Sequence, residues 1–211
     1  DKRTLEAFHA FREEAERKQF RYFLEVFDPN IESGISPEKL GEFINDQILR
    51  TLAGIAEAGR PDFLKIVYHG PRLMEEICQY DPNLIVGVLG GSAGTTYDAF
   101  RLLHDAKKYG ARVALFGRKI NNAEHQLAFI EFLRLIAEDT IGPEEAVHAY
   151  HGVLQGKGIT PKLSLEQDLE LTEQSMRYSD TGGSPSVAIR NNPLAKSKME
   201  SPQPDAAWPT K

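Results

Sequence analysis

Two charged residues interrupt runs that are otherwise apolar. Lys65 stands inside Phe63-Leu64-Lys65-Ile66-Val67-Tyr68, and Glu25 inside Phe23-Leu24-Glu25-Val26-Phe27. Burying an ammonium among apolar neighbours is costly unless it is paired or loses its proton. Only the neutral amine attacks a carbonyl, so a lysine in such a setting is a candidate for imine formation. The plain alternative is a lysine at a strand edge whose ammonium snorkels to water. A carboxylate in a strand core is expected to have a raised pKa, which suits Glu25 to general acid–base work near neutral pH. Its alternative role is to partner a buried cation, Lys65 included.

A second group of residues has the character of an anion cradle. Gly90-Gly91-Ser92-Ala93-Gly94-Thr95-Thr96 leads from an apolar run into a helical pattern. Glycines let the backbone approach an anion closely, and a helix N-terminus directs N–H groups and a positive dipole end at it. One apolar run later, Gly117-Arg118-Lys119 offers another close backbone approach with two cations. The expected anion ligands are Gly90, Gly91, Ser92, Gly117 and Arg118. Gly-Lys followed by Ser or Thr is absent, so this is not a Walker nucleotide loop. His148 and His151 have the spacing of a metal pair on one helix face, but no third ligand stands nearby, and both read as surface histidines. His69 lies on the strand parity of Lys65, where a ligand-facing and a packing role are both open.

The elements that must position these groups alternate. Phe20–Phe27, Phe63–His69, Leu84–Leu89 and Arg112–Phe116 read as buried parallel strands, each followed by a helical pattern. Ser36-Pro37-Glu38 starts one helix, with the N-cap and first-position proline expected there, running to about Glu57. Gly70-Pro71 opens a second, a third spans about Tyr97–Tyr109, and Ala123–Glu138 and Pro143–Leu154 follow the last strand. Strand-helix alternation implies a parallel sheet with helical crossovers. Four such units make half of a (β/α)8 barrel, with an anion site formed after its seventh and eighth strands. An open doubly wound sheet fits the same alternation.

Before the first strand, Leu5, Phe8, Phe11 and Ala15 repeat at helical spacing from the very start of the chain. A chain opening at Asp1 inside a helix is expected to lack its natural N-terminal part, here the first four strand-helix units. A half-barrel leaves both sheet edges open and is expected to associate, so a homo-oligomer is one outcome. The barrel half is assigned to residues 1–174. In residues 175–211 Ser, Pro, Gly, Asn and Lys dominate and apolar periodicity ends, as expected of a disordered tail with an exposed Trp208.

With 211 residues, 41% of them hydrophobic, the chain is long enough for one sizeable core. A net charge of −6 argues against general nucleic-acid binding, though not against a small phosphorylated ligand. One cysteine, Cys78, makes no intrachain disulfide. No apolar run has the length of a membrane span, and a cytoplasmic location is the expectation.

FLE in the first strand, FLKIVY in the second, LGGSAGTTYDAF into a helix and YGARVALFGRKI at the fourth resemble the class I, Schiff-base aldolases. The patterns are similar to tagatose-bisphosphate, deoxyribose-phosphate and archaeal-type fructose-bisphosphate aldolases, over about Thr4 to Asn121. The resemblance implies that Lys65 is the Schiff-base lysine of a sixth barrel strand. Glu25 matches the fifth-strand glutamate of the tagatose-bisphosphate enzymes, and Gly90, Gly91, Gly117 and Arg118 match the phosphate cradle. It implies a metal-independent carbon–carbon lyase of carbohydrate metabolism that needs no cofactor and acts on a phosphorylated sugar or ketose. Ser92-Ala93 departs from the loop usual in the fructose-bisphosphate enzymes, and Phe27-Asp28 stands where they place a tyrosine proton donor. A phosphate-binding barrel without catalysis, an assembly scaffold and a sugar-phosphate isomerase are the other functions compatible with these residues.

Overall fold

Along each apolar run, successive side chains meet two different environments, and this alternation builds the fold. The computed structural model describes residues 2–91 and 94–173. Ser92 therefore lies outside the described residues, as do the 175–211 segment and Trp208. The element order is α1 (Lys2–Arg17), β1 (Leu24–Val26), α2 (Pro37–Ala53), β2 (Phe63–Ile66), α3 (Pro71–Tyr80), β3 (Ile85–Leu89), α4 (Thr96–Lys108) and β4 (Val113–Leu115). Then come α5 (Gly117–Asn121), α6 (Gln126–Ala137), α7 (Pro143–Gly156) and α8 (Leu165–Asp168).

The strands form one four-stranded parallel sheet in the order β1-β2-β3-β4. Leu24 aligns with Leu64 and Leu64 with Val86, while Val26 aligns with Ile66 and Ile66 with Val88. These rows share a core with Ile44, Ile48 and Leu52 of α2, Met74 and Ile77 of α3 and Ala106 of α4. Helices α2, α3 and α4 therefore pack on the same face of the sheet. A sequential order has no point at which the winding reverses, so the described strands are not a doubly wound sheet, whose ligand crevice requires that reversal. The intervening row, Glu25, Lys65, Gly87 and Val113, has the opposite parity and turns away from this helix layer.

The strands are shorter than the apolar runs that contain them. Only Leu24–Val26 of the first run has ladder partners on β2, and Phe20, Phe23 and Phe27 on either side are exposed. Phe23 stacks on Phe63 with ring centroids 4.7 Å apart. The α1 stripe is also only partly used: Ala15 is buried, whereas Leu5 and Phe11 are exposed. Helix α2 ends at Ala53, earlier than its apolar spacing suggests, and Glu57–Gly59 forms a separate 3-10 turn.

A second core joins Phe100 and Leu103 of α4 to Phe129, Phe132 and Ile136 of α6 and to Val147, Tyr150 and Leu154 of α7. Helix α4 thus has two apolar sides, one toward the sheet and one toward the pair that follows β4. No helix among the described residues is long and apolar enough to cross a membrane.

Candidate functional site

The register between β1 and β2 sets Glu25 directly beside Lys65. Side chains at paired positions of neighbouring strands leave the sheet on the same face. Lys65 Nζ accordingly lies 2.6 Å from Glu25 Oε1, with the side chains 21% and 27% exposed. The two interrupting charges of the sequence form one ion pair, open on one side to solvent. Such a pair can pass a proton between its members, and it also satisfies each charge structurally.

Just beyond the strand ends, His69 Nε2 and Asp28 Oδ1 meet at 2.8 Å. The chain carries Asp28 rather than a tyrosine after β1, and this carboxylate orients an imidazole. Two side-chain contacts to carboxylates, from Lys65 and from His69, therefore link the β1 and β2 segments, the second nearer the C-terminal ends of the strands.

The glycine loop after β3 is pressed against the start of the next segment. The Gly90 N–H donates to the Leu115 carbonyl at 3.0 Å, extending the sheet by one bond. A Cβ at Gly90 would overlap the Phe116 ring, so the close approach requires glycine there. Gly91, by contrast, faces open space. Gly94 adopts φ +80°, which turns the loop into α4.

Gly90, Gly91 and Lys119 line one cavity of about 150 Å³ together with Leu89, Phe116 and Val67. The loops after β3 and β4 thus meet at the same end of the sheet. Gly117 and Arg118 form the first turn of α5 and are exposed, outside that lining. Lys65 and Glu25 lie further down their strands and do not line it either; Val67, two residues beyond Lys65, does.

At the start of α4, where the glycine-rich entry suggests open donors, the N–H groups of Thr95, Thr96 and Asp98 are already engaged. Thr95 and Asp98 form a reciprocal capping box. The Thr96 N–H donates to Asp168 Oδ1 at 2.6 Å, and Asp168 Oδ2 lies 2.9 Å from His151 Nε2. Asp98 also accepts from the Thr172 N–H at 2.9 Å, the Thr172 hydroxyl at 2.5 Å and the Glu173 N–H at 3.2 Å. The segment after α7 folds back and brings a carboxylate to the positive end of α4, the place an external anion would otherwise take. His151 is therefore not a surface histidine; His148, on the same helix, is exposed.

Burial pulls the Asp98 carboxyl upward, but hydrogen bonds from Thr172, Thr95 and Glu173 outweigh it and hold the group below its ordinary value. Burial depresses the Lys119 ammonium, against the opposing pull of Asp168, Asp98 and Glu124. The Cys78 thiol is pushed up to about 11 by burial and by Glu75, which keeps it protonated and a poor nucleophile.

Asp98, Asp168 and Thr172 were not among the expected site residues; Lys119 was expected only as a cation beside Arg118, and His151 as a surface histidine. Part of the pattern was visible: Thr95-x-x-Asp98 and Ser164-x-x-Gln167 have capping-box spacing. Nothing local, however, joins two segments more than seventy residues apart.

The chain matches no family model, and no curated protein matches it.

Proposed function

We propose that this chain is the C-terminal half of a (β/α)8 barrel and works as a metal-independent class I aldolase on a phosphorylated sugar or ketose. The observation that carries the reading is the Lys65–Glu25 pair at 2.6 Å, on the sheet face turned from the helices. In a closed barrel that face lines the interior, where catalytic groups of such folds reach substrate from the strand ends. The sequential strand order supports the barrel geometry.

Lys65 passes its proton to Glu25 and attacks the substrate carbonyl as the free amine. Glu25 returns that proton to the carbinolamine hydroxyl, which leaves as water to give a protonated imine. Glu25, again a carboxylate, then removes the proton of the hydroxyl on the carbon β to the imine carbon, and the bond between the α and β carbons breaks. Cleavage releases an aldehyde, and the bonding electrons move into the iminium to leave an enamine. Protonation of the enamine and hydrolysis return Lys65. Gly90 and Gly91, with the neighbouring Gly117–Arg118 turn, belong to the end of the sheet that would hold the phosphate.

The closed ion pair also favours a second reading, a phosphate-binding barrel in which Lys65 is structural. Borohydride trapping with dihydroxyacetone phosphate, followed by peptide mapping, separates the two. A reduced adduct on Lys65 is expected. A label on Lys119 instead, or none on any lysine, overturns the aldolase reading.

A further inference from the structure

We propose that Lys119 is the cation that receives the ligand's phosphate, in the cavity it shares with Gly91, while Arg118 faces solvent. The proposal rests on the phosphorylated-substrate reading above and changes which side chain performs the binding. Arg118 and Lys119 are consecutive on α5, so their side chains diverge by roughly 100° around the helix axis. Arg118 is exposed; Lys119 is half-buried and reaches toward the glycine loop after β3. Its Nζ donates to the Gly94 carbonyl at 2.5 Å. An ammonium has three N–H donors, and this carbonyl takes one.

Among the described residues that line the cavity, Lys119 is the one cation. Its volume of about 150 Å³ exceeds the roughly 30 Å³ share of a single water in the liquid. Gly91 contributes a backbone edge with open space before it, and Gly90 is fixed against the Phe116 ring behind. Asp98 and Glu173 also line the cavity; both Asp98 oxygens are engaged by Thr95, Thr172 and the Glu173 N–H, and Glu173 stands at the exposed rim. Burial weakens the hold of Lys119 on its proton; a bound dianion reverses that balance. A lysine serves phosphate as a compact point charge, without the two-pronged geometry an arginine would need here.

The test uses the full chain and inorganic phosphate. Calorimetric titration compares the wild type with Lys119→Met, Lys119→Arg and Arg118→Met, and lysine 13C NMR follows the Cε of residue 119. Lys119→Met is expected to weaken phosphate about tenfold or more. Arg118→Met should cost no more than about threefold, as for an exposed charge. Lys119→Arg should retain part of the affinity, and the Lys119 signal should move with saturation. Phosphate binding that leaves this signal unmoved, or an equal loss in Arg118→Met, overturns the proposal while leaving a phosphate site intact. No phosphate binding by the wild type overturns it together with the phosphorylated-substrate reading. The NMR arm needs no variant, so a misfolded Lys119→Met cannot mask the answer, and imine trapping at Lys65 is scored independently.

Discussion

His151 Nε2 and Asp168 Oδ2 stand 2.9 Å apart, and through Asp168 the imidazole is coupled to the first N–H of α4. The contact is almost fully shielded, with side chains 12% and 7% exposed. Removing the carboxylate leaves the Thr96 N–H without its acceptor in a buried place. Asp168→Ala is therefore expected to destabilise the fold by about 1–3 kcal/mol, read from urea unfolding. His151→Ala should cost less, since Thr96 keeps its acceptor. Equal stability of wild type and Asp168→Ala would show that the returning segment does not hold α4.

Acid should loosen the same junction. The folded pKa of Asp98 is depressed, so its contribution is present above the unfolded carboxyl value of about 4 and is lost as pH falls through the folded one. Unfolding titrations between neutral pH and that acidic window should show stability falling on the acid side. In Asp98→Asn this component should be absent, whatever the variant's stability at neutral pH.

At alkaline pH the relevant group is Tyr150. Its hydroxyl donates to Glu124 Oε2 at 3.1 Å and accepts from the His125 N–H at 3.1 Å. Burial, with Glu124 and Asp168 adding to it, pushes the phenol up to about 12 from 10.0, against the His125 bond. A raised folded pKa contributes stability below the unfolded value and loses it as pH rises from about 10 to about 12. Tyrosinate absorbance should show a component titrating at about 12, close to the unfolding transition. Tyr150→Phe should remove that late component.

The two loop glycines separate space from mere flexibility. Gly90→Ala drives a methyl into the Phe116 ring and is expected to cost about 1–3 kcal/mol. Gly91→Ala meets open space and should lie within about 0.5 kcal/mol of the wild type. Thermal unfolding of the pair decides it; the reverse order would mean that the loop packs differently.

Lys65 and Glu25 should be energetically coupled. A double-mutant cycle with Lys65→Met and Glu25→Gln is expected to give a coupling of about 0.5–3 kcal/mol, because each single variant strands the other charge. Additive effects would mean that solvent, not the partner, satisfies each group.

Much of this arrangement was legible because it is local. Lys65 and Glu25 announce themselves by interrupting apolar runs, and consecutive parallel strands bring equivalent positions together. The alternation of strand and helix likewise fixes a parallel sheet. Strand lengths were less legible, because a run such as Phe20–Phe27 stays a strand only where a neighbour pairs with it. The junction at α4 was not legible at all as a contact. Its members are far apart in sequence, and the loop that suggested an open anion site gives no sign that Asp168 returns to occupy the helix end. Arg118 and Lys119 look equivalent as letters; only the helical path of α5 tells them apart.

The order β1-β2-β3-β4, with α2, α3 and α4 on one face, has a further meaning. A sheet wound always in the same direction contains no internal instruction about how many strands it should have. Each unit offers the next the same edge it received, so the count is set by whatever finally covers the two ends rather than by any unit within. Such an architecture grows by duplication without redesign, since an added unit meets a neighbour it already fits. The row turned from the helices then lengthens with the sheet: every new strand contributes one more position beside Glu25, Lys65, Gly87 and Val113, without disturbing the helix-packed rows.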